Sequence, residues 1–166
     1  MSTDFIIRTA TAADMDTLDA LGNGAGSGYF ARCFAEQDEG KRDILIAVRG
    51  DAVIGYVFLN FYPRYQPFRR LGIPEIQDLF VSSSARRQGV GEALVRTCEE
   101  RARARQCSDM GIAVGLHAGF GSAQRLYVRL GYMPDGAGVM YDREAVHMGD
   151  MRIIDDDLTL MMLKPL

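Results

Sequence analysis

The sequence predicts a mixed α/β domain of the α+β type: a mostly antiparallel central sheet of about six to seven strands flanked by about four helices. Three observations carry this. Short aliphatic runs alternate with stretches of helical spacing. A turn pair, Gly50-Asp51, sits between two such runs and reads as a hairpin. One long segment, Gly89 to Arg105, places Val90, Leu94, Cys98 and Ala102 at every fourth position, with charged residues over the rest. The 166 residues suit a single domain, 1–166, around one sizeable core.

Phe5 to Arg8 reads as a first strand. Thr11 followed by Asp14 fits a helix N-cap with an acid in the first turn. Ala12, Met15, Leu18 and Leu21 then form one buried stripe. Gly22 to Gly28 holds four glycines and ends that helix. A second helix is expected from Tyr29 to Gln37. Ile44 to Val48 and Ala52 to Phe61 are the hairpin strands. Tyr62 to Ile73, rich in Arg, Pro and aromatics and without a period, reads as a loop. Glu75 to Ser82 is a strand, Gly89 to Arg105 a helix and Asp109 to Leu116 a strand. Gly121 or Ser122 to Leu130 is a helix stopped by Gly131. Tyr132-Met133 begins a strand that Pro134 to Gly138 interrupts. Leu158 to Leu163 is the last strand, and its Leu160-Met161-Met162-Leu163 reads as core or dimer interface.

Composition narrows the function classes. Hydrophobic residues make up 48% and charged residues 25%, as in ordinary globular proteins. A net charge of -3 argues against binding nucleic acid, which needs a basic surface. It is compatible with a cationic substrate. Three cysteines, Cys33, Cys98 and Cys107, form no close pair and suggest a reducing compartment. Met1 to Phe5 lacks a basic stretch followed by an apolar run, and no segment is apolar for long enough to span a bilayer. A cytoplasmic protein with no membrane partner is the expectation. His117 and His147 look isolated, and with the cysteines they show no metal-ligand spacing. No metal is expected.

The chemistry concentrates in Asp78-Leu79-Phe80-Val81-Ser82-Ser83-Ser84-Ala85-Arg86-Arg87-Gln88-Gly89-Val90-Gly91. This is a strand, a polar turn and the start of a helix. The first N–H groups of a helix have no internal partner, and the helix dipole adds partial positive charge at the same end. A pyrophosphate satisfies both. Glycine at 89 and 91 lets phosphates approach the backbone, and Arg86 and Arg87 add charge-assisted donors. A glycine turn that merely starts a helix is the plainer alternative. Other phosphate motifs fit less well. Gly-x-x-x-x-Gly-Lys is absent, and Leu94 follows where a dinucleotide fingerprint has its third glycine.

Arg86-x-x-Gly89-x-Gly91 resembles motif A of the GNAT superfamily of N-acetyltransferases. Asp78-Leu79-Phe80-Val81 is similar to the strand before that loop. Ala123-Gln124-Arg125-Leu126-Tyr127-Val128-Arg129-Leu130-Gly131-Tyr132 resembles the family's next helix, and Ile7-Arg8-x-Ala10-x-x-x-Asp14 its opening. The resemblance runs from about Phe5 to Lys164 and implies a GNAT-like fold. It further implies acetyl-CoA as co-substrate and direct attack by an amine in a ternary complex. A homodimer is also implied. Backbone groups at Leu79, Phe80 and Val81 would pair with the pantetheine arm. The N–H groups of Arg87, Gln88, Gly89, Val90, Gly91 and Glu92 would cradle the pyrophosphate. Tyr127 stands where the family keeps an acid for the leaving thiolate. Phe120 departs from the pattern, which has Asn there.

An ammonium must lose a proton before it attacks. Glu75 and Asp78 are the candidate bases. The alternatives are a solvated Glu75, a structural hydrogen bond at Asp78 and a core aromatic at Tyr127. The forming oxyanion needs a donor, expected from an N–H of the Glu75–Ser82 strand. Gly22–Gly28 and Tyr62–Phe68 are candidate acceptor loops. Arg64 would favour an acceptor carrying a carboxylate. Asp155-Asp156-Asp157 would attract a cationic amine, or is simply the solvated start of a strand. A small-molecule amine is the expected acceptor. A protein N-terminus or lysine, and a non-catalytic acyl-CoA-binding module, are the rival readings.

Overall fold

The structure is a computed structural model that describes residues 4–22 and 28–166. Residues 23–27, most of the expected glycine-rich acceptor loop, lie outside the described residues. The chain gathers into two compact units: the described part of Met1–Phe61 with Gln77–Cys98, and Tyr62–Ile76 with Glu99–Leu166.

The first unit opens with β1 (Ile6–Thr9), α1 (Met15–Leu21) and α2 (Tyr29–Asp38). The N-cap pair that the sequence predicts, Thr11 and Asp14, forms a capping box on a 3-10 turn, Ala12–Asp14, that leads into α1. Asp14 accepts from the Thr11 backbone N–H at 2.8 Å and from Arg8 at 2.8 Å. β2 (Arg42–Arg49) and β3 (Ala52–Asn60) form the expected hairpin, and β1 pairs antiparallel with β2 from Ile6↔Val48 to Thr9↔Leu45. Gly50 turns the hairpin with φ 58°, a conformation that glycine adopts without strain. Leu18, Phe30, Phe34, Ile44, Ile46, Tyr56 and Phe58 build the core of this unit. β4 (Glu75–Val81) enters the unit at Gln77, and Ser82 N donates to Ile54 O of β3 at 2.9 Å. α4 (Val90–Ala104) follows, and Val90, Leu94, Cys98 and Ala102 are all at most 1% exposed, as their spacing predicts. Gly55 on β3 is the tight point. A Cβ there would come within 2.8 Å of the Phe80 carbonyl oxygen and 3.3 Å of Val90 Cγ1.

In the second unit, Glu75 and Ile76 of β4 pair parallel with Gly111 and Ile112 of β5 (Asp109–Gly115). β5 pairs antiparallel with β8 (Leu158–Pro165) from Asp109↔Pro165 to Gly115↔Thr159. β8 pairs with β6 (Met133–Tyr141), which forms a short hairpin with β7 (Glu144–Ala145). Met161 and Met162 are buried core on β8. Because β4 belongs to both units, the strand order reads β1-β2-β3-β4-β5-β8-β6-β7.

Three expectations change. Tyr62–Ile73 is not all loop: α3 occupies Gln66–Leu71. Pro67 sits in its first turn, Gly72 ends it at φ 67°, and Phe68 is 1% exposed. A helix of six residues is too short to display a period. The interruption at Pro134–Gly138 is an irregularity inside one strand, with the register shifting between Pro134 and Val139. Among the described residues there are eight strands and five α-helices, against about six to seven and about four expected. The two-residue β7 and the short α3 account for the excess. No helix among the described residues is long and apolar enough to cross a membrane.

Two stability outcomes are expected. The Arg8 guanidinium holds the Asp14 carboxyl down at about 2, from 3.8. A depressed acid stabilises the fold fully above its ordinary value, and that contribution fades as pH falls from 3.8 towards about 2. Asp14→Asn should therefore lose about 1 kcal/mol at neutral pH, discounting for the partly exposed Arg8, and the gap to wild type should close across that acid window. Chemical denaturation at a series of pH values measures it. Gly55→Ala should cost about 1–3 kcal/mol, because its methyl meets a backbone oxygen that cannot rotate away. Its thermal midpoint reads this directly.

Candidate functional site

In the first unit the strand, turn and helix start predicted from the sequence form one continuous feature. Asp78 carries φ 53° in the middle of β4, a left-handed kink in a strand. Leu79, Phe80 and Val81 follow and are half-buried. The Phe80 ring stacks on Tyr56 at 5.2 Å. A short 3-10 turn, Ser83–Ala85, buries Ala85 and leads into the loop.

Arg86 is extended, with its Nε donating to the Val81 carbonyl at 3.2 Å. Arg87 and Gly89 are left-handed, at φ 60° and 84°. Left-handed residues in such a loop point successive N–H groups into one concavity, which suits an anion. Gln88 is braced: its amide donates to Ser84 O at 2.8 Å and accepts from Arg49 at 2.8 Å. A Cβ at Gly89 would meet nothing within 4 Å, so φ, not space within the protein, demands glycine there. The first bond of α4 runs from Ala93 N to Gly89 O at 2.9 Å. The N–H groups of Val90, Gly91 and Glu92 precede it and have no i−4 partner by helix geometry. Val90 is buried and anchors the helix, while Arg86, Arg87, Gln88 and Gly89 are exposed. Glu92 pairs with Arg96 at 2.9 Å, one turn along the helix.

Asp78 is exposed, and its carboxylate accepts a hydrogen bond from the Tyr29 hydroxyl. Burial and the Asp78 charge raise the Tyr29 hydroxyl above its ordinary value. The same two causes push Tyr56 up to about 12. Tyr29 escapes the sequence reading because it lies 49 residues away on another element.

The remaining candidates belong to the second unit. Glu75 is not solvated. It is 0% exposed, and Arg143 Nη2 donates to its Oε1 at 2.8 Å. Tyr127 is buried on α5 (Gly121–Arg129), its ring edge-on to Tyr132 at 6.2 Å. Tyr132 in turn donates to the buried Glu99 at 3.0 Å, which Lys164 neutralises at 2.9 Å. Phe120 precedes α5 and fills the space over Gly115, where a Cβ would come within 2.2 Å of its ring. His117 is not isolated: its ring meets Phe120 at 4.7 Å and its Nε2 lies 2.7 Å from Asp156. Nor is the acidic run merely solvated, since Asp155 also accepts from the Tyr141 hydroxyl at 2.8 Å. In the Tyr62–Phe68 segment, Arg69 stacks over Tyr62 at 4.1 Å, and Arg64 meets Asp142 at 3.3 Å. The structure thus unites Asp78, Leu79–Val81 and Arg86–Glu92 in one unit and places Glu75 and Tyr127 in the other. Arg143, the partner of Glu75, carried no signal in the sequence.

Comparison with known proteins adds the family. The model of the acetyltransferase (GNAT) family matches residues 14–132. The fold resembles that of a ribosomal-protein-alanine N-acetyltransferase from Brucella melitensis at TM-score 0.72 and 22% identity, covering 97% of this chain and 99% of that one. A phosphinothricin acetyltransferase from Sinorhizobium meliloti, solved with acetyl-CoA, gives 0.70 and 21%, covering 99% and 89%. A GNAT family acetyltransferase from Elizabethkingia anophelis, with acetyl-CoA bound, gives 0.70 and 14%, covering 99% and 100%. No curated protein gives a significant match. At these identities the solved structures speak for the fold alone, whereas the family model spans most of the chain. The chain belongs to the GNAT family of acetyltransferases.

Proposed function

We propose that this protein transfers the acetyl group of acetyl-CoA to a primary amine of a small molecule, by direct attack in a ternary complex. The observation that carries the reading is the left-handed loop at Arg87 and Gly89, which feeds the N-terminus of α4. Backbone N–H groups from Arg87 to Glu92 cradle the pyrophosphate, with Arg86 and Arg87 adding charge. Backbone groups of Leu79, Phe80 and Val81 pair with the pantetheine arm.

In the reaction, a carboxylate takes a proton from the acceptor ammonium. The freed lone pair forms the C–N bond at the thioester carbon. The carbonyl oxygen becomes an oxyanion stabilised by a strand N–H. The carbonyl re-forms as the C–S bond breaks, Tyr127 gives its proton to the leaving thiolate, and the second proton of the attacking nitrogen leaves through water, which restores the Tyr127 hydroxyl. Glu75 and Asp78 are the candidate bases, in opposite environments: one buried against Arg143, the other exposed beside Tyr29. Acetylation of a protein N-terminus or lysine is the second reading, favoured by the likeness to a ribosomal-protein-alanine N-acetyltransferase. The same proposal puts the enzyme in the cytoplasm, where its three cysteines stay reduced, and makes it a homodimer by family resemblance.

An acetyl-CoA turnover screen against primary amines and amino-terminal peptides tests the whole reading. Release of CoA thiol with small amines supports it, and turnover with peptides alone would favour the second reading. Tyr127→Phe should lower kcat about 10²-fold or more while acetyl-CoA affinity changes little. An unchanged kcat removes the acid role. Gly89→Ala should weaken acetyl-CoA binding about tenfold, because a left-handed alanine is disfavoured by about 1–2 kcal/mol and the loop relaxes out of shape. Calorimetric titration reads it, and unaltered affinity would disprove the cradle.

A further inference from the structure

The β6–β7 hairpin turns through two residues, Asp142 and Arg143, between the paired Tyr141 and Glu144. Both are left-handed, at φ 46° and 67°. Two-residue turns of this kind favour Asn or Asp followed by Gly. An arginine at the second position is strained, and such strain persists only where the surroundings over-determine it. Here the surroundings are charged. Asp142 meets Arg64 at 3.3 Å, a pair exposed on both sides that contributes little. Arg143 meets Glu75 at 2.8 Å, and this pair is different: Glu75 is 0% exposed and the Arg143 side chain 23%.

Burial favours the neutral form of a carboxyl, and a guanidinium in contact favours the ionised form. Only an ionised carboxylate accepts a proton from an ammonium. We propose that Arg143 is the positioning residue for Glu75: from the tip of the strained hairpin it keeps the buried carboxylate ionised and holds its orientation for proton transfer. This rests on Glu75, and not Asp78, being the base in the reaction proposed above. Arg143 itself touches neither acetyl-CoA nor the acceptor in this scheme. It acts through Glu75, and the hairpin turn becomes a determinant of the rate.

The test compares wild type with Glu75→Gln, Arg143→Lys and Arg143→Gly, using the amine that gives turnover. Arg143→Gly suits the left-handed turn, so the hairpin itself is relieved of strain while the charge is removed. Should that variant fail to fold, Arg143→Asn, which also tolerates the left-handed turn and carries no charge, replaces it and should show the same shift of the pH profile. Glu75→Gln should lower kcat about 10²-fold or more. Arg143→Gly should lower kcat at neutral pH about tenfold or more and move the acid limb of the kcat–pH profile up by about one unit or more, with KM for acetyl-CoA little changed. Arg143→Lys keeps a positive charge and should return the limb towards wild type, with kcat partly restored. A loss of thermal stability with an unmoved pH profile would make the pair merely structural and overturn the proposal. A dead Glu75→Gln beside an unshifted Arg143→Gly would leave Glu75 as base and remove Arg143. An active Glu75→Gln with a wild-type profile would remove the base reading, and this proposal with it.

Discussion

A missing side chain on β3 sets how closely the first unit packs around its loop. At Gly55 a single methyl would stand 2.8 Å from the Phe80 carbonyl oxygen, in front of Val90 and Leu94. Val90 is the first residue of α4 and is 1% exposed, so the position of the helix start is tied to that approach. The exposed loop just before it inherits the same fixed point. Arg87 and Gly89 take up left-handed backbone between two anchored ends, the buried Ala85 and the buried Val90. Gln88, bonded to Ser84 and Arg49, stiffens the middle. The proposed anion cradle depends on this rigidity, because backbone N–H groups cannot re-aim without moving the chain.

The two carboxylates of β4 show how one strand makes two kinds of acid. Glu75 and Asp78 are three residues apart. One is sealed from water and held by Arg143, and the other is exposed and bonded by Tyr29. The left-handed kink at Asp78 comes just after the ladder residues Glu75 and Ile76. Each partner arrives from a distant part of the chain, Tyr29 from α2 and Arg143 from a hairpin turn.

Much of the architecture was legible in the sequence because it follows from local rules. The stripe Val90-Leu94-Cys98-Ala102, the Thr11–Asp14 capping box and the Gly50-Asp51 hairpin all appear where spacing and turn chemistry put them. Legibility ended where an element was too short to repeat. α3 shows no period over six residues, and its identity comes from Phe68 packing against Gly111, where a Cβ would stand 2.2 Å from the ring. β7 has two residues and exists only through its pairing with β6. His117 looked isolated because its partner Asp156 is 39 residues away.

By itself, the sequence determined the Arg86–Gly91 loop, the helix behind it and the family resemblance. These depend on glycine's conformational freedom, helix-end donors and a fixed spacing, all properties of neighbours along the chain. Only the tertiary structure decided which acids are buried and what faces them. In the sequence Glu75 is either a candidate base or a solvated glutamate, and its burial and its contact with Arg143, 68 residues away, belong to the tertiary structure. Burial and charge partnership are set by what packs from elsewhere, and no local spacing encodes them.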